Sequence, residues 1–204
     1  MKSEEYFNDL HQIRTMMERS TKFLSLAGWS GIVAGVLGLA AGVLVMQLSG
    51  RTGSNALLAA DFSLPLAQQF LAVAAITLLT AVVAVLWFSL RKAHKLGQSV
   101  WNAAARRLLV NMAIPLTVGG ILVFILIFHG ATGLVPGAML MFYGAAMLNA
   151  GNFTFGEIRY MGIAEMGLGL LAAAFTQWSL LFWVVGFGAL HIVYGIYLHL
   201  RYEK

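Results

Sequence analysis

Six long apolar blocks, separated by short polar stretches, account for most of this chain. They run approximately over 23–49, 66–90, 107–128, 133–150, 158–175 and 178–199. A helix of about 20 residues crosses the hydrocarbon core of a bilayer, and helices are the natural choice because lipid offers backbone N–H and C=O groups no partners. Barrel strands would alternate with period two, and these blocks do not. The pattern therefore predicts an all-α polytopic membrane protein: six transmembrane helices in three antiparallel hairpins, filling residues 23–204. Residues 1–22 precede them as a cytoplasmic amphipathic helix. In it Tyr6, Leu10, Ile13 and Met17 form one stripe, with Glu4, Asn8, His11, Thr15, Arg19 and Lys22 opposite. Such a helix can lie in the membrane interface, pack on the 91–107 loop or hold a partner protein.

Composition agrees: 60% of the residues are hydrophobic and only 10% are charged, against about a quarter charged in soluble domains. The first 22 residues carry four acidic and four basic side chains and do not fit a secretory signal. No cysteine is present, which removes disulfides, thiolate metal sites and cysteine nucleophiles.

Charge fixes the orientation. Twelve of the thirteen Lys and Arg residues fall on one side of the six-block pattern, and only Arg51 lies opposite. Lys and Arg accumulate in cytoplasmic loops, so both termini are expected in the cytoplasm, in a bacterial inner membrane. The net charge of +5 follows from that topology and does not imply nucleic acid as a partner.

Gly28, Gly31, Gly35, Gly38 and Gly42 form a ladder along the first block. Small residues let helices approach closely; the ladder serves packing inside the bundle or, in the other reading, a homodimer seam. Pro115 is expected to kink the third helix. Thr154-x-x-Glu157, with Phe153 and Ile158 as a staple, reads as a capping box opening the fifth, which assigns Glu157 a structural role. Phosphate loops, nucleophile elbows and zinc-protease helices are absent from the sequence.

Polar groups inside a membrane are costly and suggest a site. Glu165 lies seven residues into the fifth block, ~10 Å deep, on a face shared with Gly162, Leu168, Gly169 and Ala172. His191 lies ~12 Å from the cytoplasmic end of the sixth, on a face with Gly188, Tyr194 and Gly195. An antiparallel hairpin sets the two at matching depth, so they are expected to interact directly or through one water. Asn111, Asn149, Ser30 and Tyr160 share the cytoplasmic half. The outer half holds Gln47, Gln68, Gln69 and Thr117. This imbalance predicts a ligand-binding pocket of Glu165, His191, Tyr194, Asn111 and Asn149, open to the cytoplasm beneath an apolar seal. It argues against a permanently open pore. No cofactor or metal is expected: His94 and His129 lie at the wrong depth to share a haem with His191.

Met17-Glu18-Arg19-Ser20-Thr21-Lys22-Phe23-Leu24-Ser25-Leu26, Gly156-Glu157-Ile158-Arg159-Tyr160-Met161-Gly162-x-x-Glu165 and His191-Ile192-Val193-Tyr194-Gly195 resemble a group of uncharacterised bacterial six-span integral membrane proteins. The resemblance covers most of the chain and implies the membrane fold, but brings no activity or site residues with it. The leading expectation is a protein that binds, and could transport, a small or amphipathic ligand, with protonation of the Glu–His pair coupled to binding. The alternative is a membrane-anchored interaction or regulatory subunit in which the pair is structural. An intramembrane enzyme is disfavoured, since no nucleophile or metal triad accompanies Glu165 and His191.

Overall fold

A computed structural model describes residues 28–48, 64–95 and 101–202, which are helical and contain no strand. The expected N-terminal amphipathic helix and nearly all of the 50–65 loop lie outside the described residues. The helices are α1 (Gly28–Leu48), α2 (Leu64–Lys95), α3 (Ala103–Phe128), α4 (Val135–Ala150, entered through a 3-10 turn, Thr132–Leu134) and α5 (Ile158–Ala174). A composite C-terminal rod follows: a 3-10 turn (Thr176–Trp178), α6 (Ser179–Val184), a π-helical turn (Val185–Leu190) and α7 (His191–Tyr202). Five elements are long and apolar enough to cross a membrane: α1, α2, α3, α4 with its entry turn, and the rod. With 17 residues α5 is shorter, and rises ~26 Å.

Local chemistry sets the boundaries. Asn102 caps α3 by accepting a 2.8 Å hydrogen bond from the Ala105 amide. At the other end Gly130, at φ +72°, takes the left-handed conformation that stops the helix. Pro136 sits in the first turn of α4, where its missing N–H costs nothing. Within the segment expected as the 91–107 loop, residues 91–95 and 103–107 are helical and 96–100 lie outside the described residues. The last turn of α2 contains Lys92, His94 and Lys95, cations that suit the negative end of the helix dipole and so prolong the helix. Helix α3 continues through Pro115. The capping box is displaced as well: α5 starts at Ile158 with Glu157 as its boundary residue, so Thr154 lies a full turn too early. The Glu157 carboxylate instead accepts a 2.7 Å hydrogen bond from Tyr202 Oη and lies 3.4 Å from Arg201 Nη1, tying the start of α5 to the end of the rod.

Glycine decides which helices meet. A Cβ on Gly35 would fall 2.6 Å from the Gly188 carbonyl oxygen, and one on Gly195 would fall 2.5 Å from the Ile32 amide nitrogen. The ladder on α1 is thus seated backbone to backbone against the C-terminal rod of the same chain, and a homodimer seam on α1 would have to use its other faces. Helices α4 and α5 meet the same way, with hypothetical Cβ atoms on Gly144 and Gly162 each 2.6 Å from the other's carbonyl oxygen. Helix α2 packs on α1 and α3 on α4, both from outside. One end of the bundle gathers basic residues. There Lys92 Nζ stands 5.6 Å over the Phe155 ring, Phe155 lies 4.5 Å from the Tyr202 ring and Trp29 lies 5.4 Å from His199.

Candidate functional site

Three helical elements deliver the polar cluster. Helix α5 buries Gly162, Glu165, Gly169 and Ala172 on one stripe, the face expected from the sequence. Because Gly162 and Gly169 draw α4 so close, a side chain midway between them cannot reach lipid, and Glu165 is fully buried. His191, 6% exposed, opens α7 directly after the π turn. Tyr143 comes from α4, one residue before the glycine that touches α5.

The contacts fix the roles of the imidazole. His191 Nδ1 lies 3.0 Å from the Gly186 carbonyl oxygen, and Nε2 lies 2.8 Å from Tyr143 Oη. A carbonyl can only accept, so Nδ1 carries a proton; in the neutral ring, Nε2 then accepts from the tyrosine O–H. Gly186 and His191 are five residues apart, the spacing that a π turn brings onto one face. Glu165 Oε1 approaches the same Nδ1 at 3.4 Å, long for a hydrogen bond. Neither Glu165 oxygen has a hydrogen-bond partner among the described residues. An uncompensated buried polar group costs about 1–3 kcal/mol, and more when charged.

The walls are close. A Cβ on Gly186 would fall 2.5 Å from both Glu165 Oε2 and Leu140 Cδ2, and Leu140 is itself fully buried. Phe187 stands over His191 with ring centroids 5.7 Å apart and planes 19° apart, and it also touches Tyr143 and Trp183 at 4.8 and 5.0 Å.

The sequence-derived set therefore divides. Glu165 and His191 come together as expected. Tyr194 is half-buried one turn along the rod, its hydroxyl buried without a hydrogen-bond partner, against a core that includes Leu108, Met147 and Met161. Asn111 is turned back on its own helix, donating a 2.8 Å hydrogen bond to the Arg107 carbonyl. Asn149 is exposed on α4, and Tyr160 is 75% exposed. Neither asparagine lies in the cluster. Tyr143 and the Gly186 carbonyl were missed; a tyrosine mid-block beside a glycine was the available signal for the first. An apolar groove along α1, lined by Val36, Leu39, Ala40, Val43, Leu44 and Gln47, contains no member of the cluster. Among the described residues no group of three or more His, Asp or Glu could hold a metal ion.

The arrangement can hold and pass a proton: a phenol, an imidazole and a carboxyl follow one another, the imidazole in contact with both. Comparison with protein-family models, curated proteins and solved structures returned no match, so the functional reading rests on this geometry.

Proposed function

We propose that this chain is a six-span integral membrane protein of a bacterial inner membrane, in three antiparallel hairpins with both termini in the cytoplasm. Its Glu165–His191–Tyr143 cluster is an intramembrane site for a proton or a comparably small polar ligand, approached from the cytoplasmic side. One observation carries the reading: a fully buried carboxyl group with no hydrogen bond to either oxygen, beside an imidazole. Ionisable groups at membrane depth are kept where they work in relays and substrate paths. From His191 to Tyr202 is eleven residues, or ~16 Å of helix, which supports a position near mid-membrane. The basic end of the bundle faces the cytoplasm by the positive-inside rule. The close packing of Leu140 and Gly186 narrows the expected small or amphipathic ligand to a small one.

The test is infrared difference spectroscopy on the reconstituted protein across a pH series. A protonated-carboxyl band that titrates in the wild type and vanishes in Glu165→Gln is expected; no titrating band, or one that survives the substitution, overturns the reading. Native mass spectrometry of gently extracted protein asks separately whether a bound mass is lost in the same variant. The alternative, an interaction subunit with a structural pair, draws on one fact: both ring nitrogens of His191 are already engaged within the bundle.

A further inference from the structure

Among the described residues, six buried side-chain polar atoms lack a hydrogen-bond partner, and five of them belong to the C-terminal rod or to Glu165 packed against it. In order along the rod they are Ser179 Oγ, Trp183 Nε1, the two Glu165 oxygens beside Gly186 and His191, and Tyr194 Oη. Ser179 lies four residues before Trp183, Trp183 eight before His191 across the π turn, and His191 three before Tyr194. Beyond Tyr194 the file continues into the Glu157, Arg201 and Tyr202 contacts at the basic end. Unpaired buried polar atoms are rare, and each calls for an explanation. All five lie on or against one rod of 27 residues, ~40 Å long, and Trp183 Nε1 among them can only donate, to a water or a carbonyl.

We infer that the C-terminal rod is a gated proton path, with Phe187 as its gate and Glu165–His191 as its central station. The inference rests on the site reading above and extends it from holding a proton to moving one across the membrane. In this structure the path is closed outward. Phe187, apolar and stacked on His191, stands between the central station and Trp183. Inward, Tyr194 comes three residues after His191, packed against the core that includes Leu108, Met147 and Met161. The gate has a hinge of its own: Phe187 lies between Gly186 and Gly188 inside the π turn, and such turns recur at functional sites.

The proton balance is simple. Nε2 takes an incoming proton as the Tyr143 O–H turns to accept from it. Nδ1 then releases its proton to Glu165 Oε1, 3.4 Å away. One N–H bond forms, one breaks and an O–H bond forms on the Glu165 carboxylate; the site resets when Glu165 gives that proton to water on the cytoplasmic side and the imidazole turns over to its first tautomer. The ionisable groups facing the station are few. Helix α4 offers Tyr143 and α5 offers Glu165 itself, while α1 presents glycines and contains no ionisable residue.

Full-length protein reconstituted in liposomes with an internal pH dye, under a potassium diffusion potential, tests this. Phe187→Ala is expected to raise proton influx at least about tenfold over wild type, equal to lowering a barrier by about 1.4 kcal/mol. Adding Glu165→Gln is expected to return it to the wild-type rate. Phe187→Leu, which keeps the rod packed, should give an intermediate rate and serves if the alanine variant fails to fold. Folded variants with no added flux, or a leak that persists in the double variant, overturn the path. If Glu165 still titrates in the infrared, the site reading survives that failure; if it does not titrate, both fall together.

Discussion

Helix α2 and helix α4 stand at opposite extremes of one trend. Of the five elements able to cross a membrane, α2 is the most apolar and has none of its spanning window buried in the protein. The element Thr132–Ala150, containing α4, is the least apolar and has 44% of its window buried. The three others fall between in the same inverse order. In water the relation would run the other way. In lipid, an aliphatic side chain gains nothing by leaving the acyl chains for a neighbouring helix, so contact goes to helices whose small residues let backbones touch. Hydropathy therefore marks where the bilayer is, and glycine marks where the protein's interior is.

The sharpest way to break the comparison is to give the interior a side chain. Gly35→Leu would drive atoms into the Gly188 carbonyl and the Ile192 amide, 2.6 and 2.8 Å from the first of them, and neither backbone group can yield. A loss of about 3 kcal/mol is expected, the upper end for overpacking, read as a lowered melting temperature in detergent. Gly120→Leu on α3, whose Cβ would meet nothing within 4 Å, should leave that temperature unchanged.

A pair of leucines sharpens the same point at smaller scale. Leu140→Ala opens a cavity at a fully buried position, and about 2 kcal/mol is expected, at the low end of such truncations because little transfer energy is lost in lipid. Leu79→Ala, 65% exposed on α2, should change stability by less than about 0.5 kcal/mol. Equal effects in the two melting curves would contradict the trend.

The smallest expected effect concerns the polar cluster. Tyr143→Phe removes the hydroxyl from Nε2 of His191 and should cost about 1 kcal/mol or less, the usual worth of a hydrogen bond between membrane helices. An unchanged His191 nitrogen chemical shift in that variant would show that the bond is not formed in solution.

The sequence made α4 and α5 legible almost to the residue, because block length and hydropathy act on the whole helix. The Glu165–His191 contact was legible too, since both residues carry small neighbours at i±3 and i±4 and lie at matching distances from the ends of their blocks. Asn111 and Asn149 stand apart from that contact for a related reason. Depth alone was used for them, and depth says nothing about which way a side chain points around the helix. Asn111 spends its amide on Arg107 of its own helix, a local bond open to any asparagine. Tyr143 passed unremarked because an isolated aromatic residue in an apolar block has no periodic signature. The π turn was hidden for the opposite reason: Gly186-Phe187-Gly188 has an obvious reading as close packing, and that reading is also correct for Gly188 against Leu39.

The brevity of α5 has a mechanical consequence for the surrounding lipid. Its 17 residues cover ~26 Å, while a relaxed hydrocarbon core is ~30 Å thick. Its residues Ile163, Leu170 and Leu171 are exposed, so a bilayer spanned by this helix would thin beside it by a few ångströms, at a cost of fractions of a kcal/mol per ångström. The helix that buries Glu165 would then also be a place where the membrane is compressed. Bilayer thickness becomes a control variable: thicker acyl chains would strain α5 against its neighbours, and thinner ones would relax it.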